Sequence, residues 1–323
     1  MRKVLITGCA GFIGSHLAER LLQDGMDVIG IDGFVDNYDA SVKLRNLSAI
    51  RSHPRFAFHS SLLADKLGEP WLDEVDLIFH QAALPGVRSS WGTAFADYVA
   101  HNLTATQSLL EACTRLQKPP RIVIASSSSV YGSMKEGALD ESAPLHPVSP
   151  YGVTKAAMEQ ICRVYVEAHG LHVVMLRYFT VYGPRQRPDM AFHRFFRQML
   201  RGEPITIYGD GQQSRDFTYV SDAVEANLLA ARHAAPGDVF NIGGDREISV
   251  LEVLHLMSQL ANVTPHVVHL PAVAGDSRRT KADIRQAQAK LGYQPRVRLE
   301  EGLRLQLADL RAHIDGPSDE RGQ

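Results

Sequence analysis

The chain has 323 residues and a net charge of -2, with 34 basic and 36 acidic side chains. Hydrophobic residues make up 45% and charged residues 22%, which is typical of a globular protein with a large core. This balance gives no reason to expect binding to nucleic acid or to a membrane, and no apolar run reaches the roughly 18 residues of a membrane helix. The three cysteines form no C-x-x-C pair, which disfavours a zinc site or disulfide framework and favours a reducing cytoplasm.

Short apolar runs alternate with amphipathic stretches along the first half of the chain. A strand-like run begins at Lys3 and leaves no room for a signal peptide. Strands alternating with helices predict a doubly wound parallel sheet of the Rossmann type, with helices on both faces. The predicted strands are Lys3–Thr7, Asp27–Ile31, Val75–His80, Arg121–Ala125 and Leu171–Tyr178, and the predicted helices are Phe12–Gln23, Ala94–Thr114, Gly152–His169, Phe192–Arg201 and Ser249–Ala261.

The pattern loosens in the second half, where Pro, Gly and Arg become frequent. We therefore predict a nucleotide-binding domain over residues 1–180, to which a segment near residues 220–245 returns. Residues 181–313 are expected to form a smaller, mixed α/β lobe that binds the substrate. The polar segment 314–323 is expected to be a frayed tail.

Three glycines, Gly8, Gly11 and Gly14, lie between the first predicted strand and the first predicted helix. Glycine there permits a tight turn and close approach of the backbone to a pyrophosphate, which the helix N-terminus then attracts. Asp32 ends the second strand 18 positions after Gly14. A carboxylate at that place accepts hydrogen bonds from a ribose 2′-hydroxyl and repels a 2′-phosphate, so the sequence predicts NAD as the cofactor.

Tyr151 and Lys155 are four positions apart at the start of a predicted helix, so their side chains share one face. An ammonium group beside a phenol is expected to lower the phenol's pKa and make Tyr151 a base near neutral pH. Tyr131 and Lys135 have the same spacing in a turn-like segment, where we expect no such alignment. Ser126–Ser129 follow a strand end, where a doubly wound sheet binds ligands.

These motifs, in this order, resemble the extended short-chain dehydrogenase/reductases, which include nucleotide-sugar epimerases, dehydratases and decarboxylases. The segments that carry the resemblance are TGCAGFIGSH, HQAA, SSSSVYG, SPYGVTK, RYFTVYGP, YGDGQQSRDF and NIGG. The resemblance implies Ser127, Tyr151 and Lys155 as the catalytic residues, a structural role for Asn102, and a homodimer built on helices near 94–114 and 152–169. It implies cofactor contacts from Gly8, Gly11, Phe12, Ile13, Gly14, Asp32, Leu62, Ala82, Lys155 and Tyr178. The family's adenine-reading Asp-Leu pair is replaced here by Ser61-Leu62.

The residues that follow the predicted strand Arg121–Ala125 favour epimerisation over the family's other reactions. The family's 4,6-dehydratases carry Asp and Glu where this chain has Ser128 and Ser129, and its uronic-acid decarboxylases carry Glu at the second position. Serine supplies no acid–base pair near neutral pH, so re-reduction of a 4-keto sugar is expected instead. Thr180, the RPDM segment that begins at Arg187 and the LPGVRSSW segment around Arg88 resemble the UDP-glucuronic acid 4-epimerases.

We therefore predict an NAD-dependent enzyme that converts UDP-glucuronic acid to UDP-galacturonic acid. Ser128 and Thr180 are candidate donors to the sugar carboxylate, and Arg187 either joins them or contacts another part of the substrate. The predicted substrate contacts are Arg88, Ser128, Ser129, Thr180, Arg187, Arg215 and Arg278, of which Arg215 and Arg278 match the family's diphosphate-binding positions. No metal is expected. The alternatives are a 4-epimerase of neutral UDP-hexoses and a non-catalytic NAD-binding regulator.

Overall fold

The computed structural model describes residues 3–133, 137–244, 246–272, 275 and 277–313. The predicted tail, residues 314–323, and Lys135 lie outside the described residues. The strands are β1 Lys3–Thr7, β2 Asp27–Asp32, β3 Phe56–Ser60, β4 Leu77–His80, β5 Arg121–Ser127, β6 Val173–Tyr178, β7 Thr180–Tyr182, β8 Ile205–Tyr208, β9 Ser214–Tyr219, β10 Val239–Ile242, β11 Glu247–Ser249 and β12 Val267–Leu270.

The helices cover both faces of the main sheet and alternate with strands in the second half of the chain. They are α1 Phe12–Gln23, α2 Ala40–Asn46, α3 Phe95–Tyr98, α4 Ala105–Thr114, α5 Pro150–His169, α6 Ala191–Arg201, α7 Val220–His233, α8 Val250–Ala261, α9 Arg285–Leu291 and α10 Leu299–His313. A π-helical segment, Val99–Thr104, joins α3 to α4, so the stretch predicted as one helix contains a change of helix type. No helix in the described part of the chain combines the length and apolarity needed to cross a membrane.

Seven strands form one parallel sheet in the order β10-β6-β5-β4-β1-β2-β3. Every neighbouring pair in this sheet is parallel. Strands β1, β2, β4, β6 and β10 are fully or almost fully buried, and β5 is buried over its apolar centre, because helices cover both faces. The doubly wound parallel fold predicted from the sequence is therefore confirmed.

The chain order reverses between β1 and β4, and this reversal positions the site. From β1 the sheet runs to β2 and β3 on one side, and to β4, β5 and β6 on the other. At such a point the connections leave in opposite directions and open a crevice at the carboxyl ends of the strands.

The second half of the chain forms two small sheets, β11-β9-β7 and β12-β8, packed with α6, α8 and α10. Helix α7 packs against α1, and β10 pairs with β6 in the large sheet. The chain thus contributes to the large sheet again after leaving it at residue 178. The division into a 1–180 domain, with a return near 220–245, and a 181–313 lobe remains our proposal.

Candidate active site

A cleft of about 420 Å³ opens at the carboxyl ends of β1 and β4. All ten residues predicted to contact the cofactor lie on its wall: Gly8, Gly11, Phe12, Ile13, Gly14, Asp32, Leu62, Ala82, Lys155 and Tyr178. Tyr151 and Arg187 line the same cleft. The fold therefore brings the glycine turn together with the tyrosine and lysine of α5, from distant parts of the sequence.

The glycine turn is tight and closely packed. Gly8 has a φ of +68°, and its amide donates to the Ile31 carbonyl at 2.7 Å. A Cβ atom on Gly8 would lie 2.7 Å from the Ala82 backbone nitrogen, and one on Gly14 would overlap the Gly8 carbonyl oxygen. These approaches require glycine, and they point the N-terminus of α1 at the cleft, where it favours a pyrophosphate.

Asp32 lies at the far end of β2 and is 8% exposed. Its carboxylate accepts hydrogen bonds from the Ala10 amide at 3.1 Å and the Phe34 amide at 3.0 Å. The Lys43 ammonium lies 3.7 Å from it, and burial lowers the pKa of Lys43 while Asp32 opposes that shift. A carboxylate fixed in this way suits the adenosine ribose hydroxyls. The sequence does not predict the contact with Lys43, because separation along the chain gives no distance to Asp32.

Ser61 replaces the adenine-reading aspartate of the family. Its Oγ atom is buried and makes no hydrogen bond with any described residue, although the residue lines the cleft. An orphaned buried hydroxyl is uncommon and is consistent with a partner supplied by a ligand. Ser61 thus fits one polar contact to the adenine of NAD at this end of the cleft.

The start of α5 is fixed by its sequence. Ser149 accepts a hydrogen bond from the Gly152 amide at 3.1 Å, and Pro150 occupies the first helical position, where a missing amide costs nothing. The Tyr151 amide donates to Ser90 Oγ at 3.0 Å. These contacts hold Tyr151 in the first turn, facing Ser127 at the end of β5.

The free protein does not lower the pKa of Tyr151, contrary to our expectation. Burial raises this pKa, and a hydrogen bond with Ser127 and the charge of Arg187 oppose the rise only in part. The Lys155 ammonium instead donates to the Ala125 carbonyl at 2.8 Å. Helical spacing predicted the shared face correctly, but it gave no sign of the buried carbonyl that takes up the ammonium.

Lys155 is itself strongly perturbed. Burial lowers its pKa to about 8, although Cys162 and Glu159 favour the charged form. An amine that titrates this close to neutrality is typical of functional sites. It is predominantly charged below pH 8, and it loses that charge within the range in which many enzymes are assayed.

The serines of the SSSSVYG segment turn away from the strand in a short 3-10 helix, Ser128–Val130. Ser127 Oγ accepts from the Ser129 amide and donates to Ser129 Oγ, both at 3.1 Å. Ser128, Ser129 and Thr180 are partly buried. Asp32 is the only acidic residue among the described residues that line the cleft. No carboxyl pair is therefore available there for acid–base elimination.

Arg187 is 19% exposed and makes two hydrogen bonds to Asp189, at 2.9 and 2.8 Å. Burial alone would raise the pKa of Asp189, yet the charge of Arg187 holds it below its usual range. The same charge opposes the rise that burial causes in the pKa of Tyr151, so the guanidinium lies near the tyrosine. A cation so placed can contact the anionic part of a sugar bound at Tyr151.

The other predicted arginines lie outside the cleft wall. Arg88 lies over the ring of Tyr208 at 4.2 Å, and Arg215 donates to the Ser214 carbonyl at 2.8 Å. Arg278 is 61% exposed and forms a two-pronged ion pair with Asp210, at 2.6 and 2.8 Å. For Arg278 to bind a diphosphate, it would have to leave or share Asp210.

Two further side chains, His80 and Asn102, make buried hydrogen bonds next to the cleft. His80 is buried between Thr7 Oγ1 at 2.7 Å and Thr106 Oγ1 at 3.0 Å, and burial lowers its pKa to about 3. The Asn102 side chain accepts from the Leu84 amide at 2.7 Å and donates to the Leu84 carbonyl at 3.0 Å. Both residues fix the segment that leaves β4 beneath the cleft.

The family model of the NAD dependent epimerase/dehydratase family matches residues 4–243. The chain therefore belongs to this family, whose cofactor is NAD and whose fold it shares.

Three relatives indicate where in the family the chain lies. It is 48% identical to a protein of Bacillus subtilis described as an uncharacterised UDP-glucose epimerase, over 97% of this chain and 99% of the relative. The crystal structure of the UDP-glucuronic acid 4-epimerase of Bacillus cereus, in complex with UDP-glucuronic acid and NAD, is 42% identical with a TM-score of 0.93, covering 96% and 99% of the two chains. A dTDP-glucose 4,6-dehydratase of Streptomyces venezuelae with NAD bound reaches 0.90 at 29% identity, covering 96% and 97%.

Proposed function

We propose that this enzyme catalyses the NAD-dependent 4-epimerisation of UDP-glucuronic acid to UDP-galacturonic acid. The observation that carries the proposal is the set of groups at the cleft: Tyr151 and Lys155 line it, and Ser127 hydrogen-bonds Tyr151. Ser128 and Ser129, which follow Ser127, stand where other members carry carboxyl groups. The dehydratase relative has nearly the same fold, so the side chains, and not the backbone, must select the reaction.

Tyr151 acts as the base that takes the proton of the sugar's C4 hydroxyl. Ser127 hydrogen-bonds the tyrosine and orients both hydroxyl groups. NAD, when bound, takes up the hydride from C4 and returns it after the 4-keto ring has turned over. Lys155 is charged below its pKa of about 8, and its positive charge near the cleft favours the deprotonated form of a nearby acid.

Elimination needs groups that the described wall of this cleft lacks. Removing water across C5 and C6 requires an acid and a base, and Ser128 and Ser129 are neither near neutral pH. Asp32 is the only carboxylate on the described cleft wall, and backbone amides hold it at the adenosine end. Return of the hydride to the other face of the sugar is the outcome that these residues support.

A 4-keto uronic acid is a β-keto acid, which loses CO₂ when its carboxyl bond stands perpendicular to the ketone plane. The enzyme must therefore hold the carboxylate in another orientation. Ser128 and Thr180 provide short donors, and Arg187 faces Tyr151 with a fixed guanidinium. We assign the carboxylate contact to these three side chains and the diphosphate contact to Arg88, Arg215 and Arg278, with Ser129 beside the sugar.

A 4-epimerase of neutral UDP-hexoses is the second candidate. The relative described as an uncharacterised UDP-glucose epimerase, which is 48% identical over nearly its whole length, favours it. Arg187 distinguishes the two, since a neutral hexose has no group that needs a buried cation. The regulator alternative is disfavoured by the retained Tyr151, Lys155 and Ser127.

The decisive variant is Tyr151→Phe, which removes the base and keeps the ring. We expect purified wild-type protein to show near-ultraviolet absorbance of reduced cofactor when UDP-glucuronic acid is added, and the variant to bind NAD without this change. Tyr219→Phe is the control, because the Tyr219 hydroxyl makes no hydrogen bond with the described residues. Turnover by Tyr151→Phe would contradict the assignment of the base.

We further propose a homodimer and a cytoplasmic location. Exposed apolar residues Val153 and Val164 on α5 support a contact between two copies. The three cysteines are free and buried, which fits a reducing compartment.

A further inference from the structure

A buried ion pair lies behind the catalytic helix. Arg177 of β6 donates to Glu159 of α5 from Nε to Oε1 at 2.9 Å and from Nη2 to Oε2 at 2.7 Å. The two side chains are 1% and 0% exposed. Burying two charges is costly unless every polar atom has a partner, and such a pair is often no more stabilising than apolar residues of the same volume. Stability alone is therefore a weak reason for its presence.

Hydrogen bonds extend the pair in both directions. Glu159 Oε1 also accepts from Ser126 Oγ at 2.5 Å. Arg177 Nη1 donates to Tyr131 Oη at 2.6 Å, and Tyr131 in turn donates to Asn241 Oδ1 at 2.7 Å. The carboxylate thus has three donors from two strands, which restrict it to one position.

Three members of this network adjoin residues of the proposed catalytic machinery. Ser126 precedes Ser127 on β5, and Arg177 precedes Tyr178 on β6. Glu159 follows Lys155 by one turn of α5, and both face inward. One carboxylate therefore ties the strand of the catalytic serine, the helix of the catalytic lysine and the strand of Tyr178 to one another.

We infer that Glu159 is a positioning residue. Through its hydrogen bonds to Ser126 and Arg177 it fixes the positions of Ser127 and Lys155 relative to each other. This inference rests on the proposed function, because it assigns a role to residues behind the same catalytic group. Displacements well below 1 Å matter for proton and hydride transfer, so loss of the Ser126 bond should reduce kcat more than binding.

The charge of Glu159 also acts on Lys155. Glu159 and Cys162 face Lys155 from its own helix, and His80 faces it from β4. His80 stays neutral above pH 3 and Cys162 stays protonated to about pH 12, so among these three described groups it is Glu159 that supplies a negative charge near neutral pH. Removing that charge should lower the pKa of Lys155 below its present value of about 8.

The first test is Ser126→Ala, which deletes one hydrogen bond and leaves the ion pair intact. We expect kcat for UDP-glucuronic acid to fall on the order of tenfold, with KM and the NAD dissociation constant within about twofold of wild type. Ser249→Ala, which removes the cap of α8, is the control for lost stability and should leave kcat unchanged. A wild-type kcat in Ser126→Ala would overturn the inference.

The second test is Glu159→Gln, read out by the titration of Lys155 in lysine-labelled protein by NMR, with the signal assigned by its absence in Lys155→Met. We expect the titration to move to lower pH. If this variant does not fold, Glu159→Leu combined with Arg177→Met removes both charges and is expected to fold, bind NAD and turn over slowly. An unchanged Lys155 titration, or a folded double variant with wild-type kcat, would contradict the inference.

The Lys155 titration needs no substrate. If wild-type protein leaves UDP-glucuronic acid untouched, the proposed function fails. The titration and the binding measurements still decide the role of Glu159.

Discussion

Lys155 shows how one residue links the site to the stability of the protein. Its pKa falls from 10.5 to about 8 because it is buried. The charged amine therefore lowers the free energy of unfolding. This destabilisation is fully present below pH 8 and disappears as the pH rises to about 10.5. The amine is kept charged because of its role in the cleft.

Lys155→Met should stabilise the NAD-free protein while abolishing turnover. The shift in the pKa corresponds to about 3 kcal/mol, and loss of the bond to the Ala125 carbonyl reduces the gain to about 2 kcal/mol at pH 7. Urea unfolding at pH 7 measures the gain, which should shrink between pH 8 and 10.5. A variant less stable than wild type at pH 7 would contradict the account of Lys155.

Arg187 and Asp189 make a prediction about substrate choice. Arg187→Gln should raise KM for UDP-glucuronic acid about tenfold more than KM for UDP-glucose, because only the acid has a carboxylate to lose its partner. Asp189→Asn removes the negative charge beside Arg187 and one of its two acceptors, and should lower KM for the acid. Steady-state kinetics with both nucleotide sugars measures these changes. Equal effects on both substrates would place Arg187 at the diphosphate.

The side-chain contacts around Lys155 also show what the sequence could and could not predict. The four-residue spacing predicted that Tyr151 and Lys155 share a face, because helix geometry is local. It did not predict the Ala125 carbonyl as the partner of Lys155, nor the pairing of Glu159 with Arg177, since both contacts join segments far apart in the chain.

At the scale of elements, the closely packed glycine turn makes the clearest prediction. A Cβ on Gly14 would overlap the Gly8 carbonyl oxygen, so Gly14→Ala must push α1 away from β1. We expect the variant to lose at least about 1 kcal/mol of stability and most of its NAD affinity. Isothermal titration with NAD and thermal unfolding measure both quantities.

The matched control is Gly68→Ala. A Cβ on Gly68 meets nothing within 4 Å, and the residue does not have a positive φ, so stability and NAD binding should be unchanged. Normal NAD affinity in Gly14→Ala would contradict the close packing of this turn.

The elements themselves were predicted best where the pattern is long or apolar. The strand Lys3–Thr7 and the helix Phe12–Gln23 have the predicted ends, because a glycine turn separates two clear periodicities. The edge strand Phe56–Ser60 was missed, since its FAFHS sequence is partly exposed and gives no continuous apolar run. The helix Val220–His233 was likewise not predicted as an element.

At the scale of the whole molecule, α5 presents an unpaired apolar face. Val153 and Val164 are 46% and 58% exposed and lie about three turns apart on one side of the helix. Light scattering should give twice the chain mass of 35.7 kDa for wild type and the single mass for Val164→Arg. Leu305→Arg, at a residue of α10 that is 45% exposed, should remain a dimer. A monomeric wild type would contradict the proposed assembly.

An NMR time course of purified protein with UDP-glucuronic acid is the most direct test of the proposed 4-epimerisation. UDP-galacturonic acid should appear until the two acids reach equilibrium. No UDP-pentose should form, and no added reduced cofactor should be needed. If the acid is unchanged while UDP-glucose is converted, the assignment of Tyr151 as the base stands and the carboxylate assignment to Arg187, Ser128 and Thr180 is wrong.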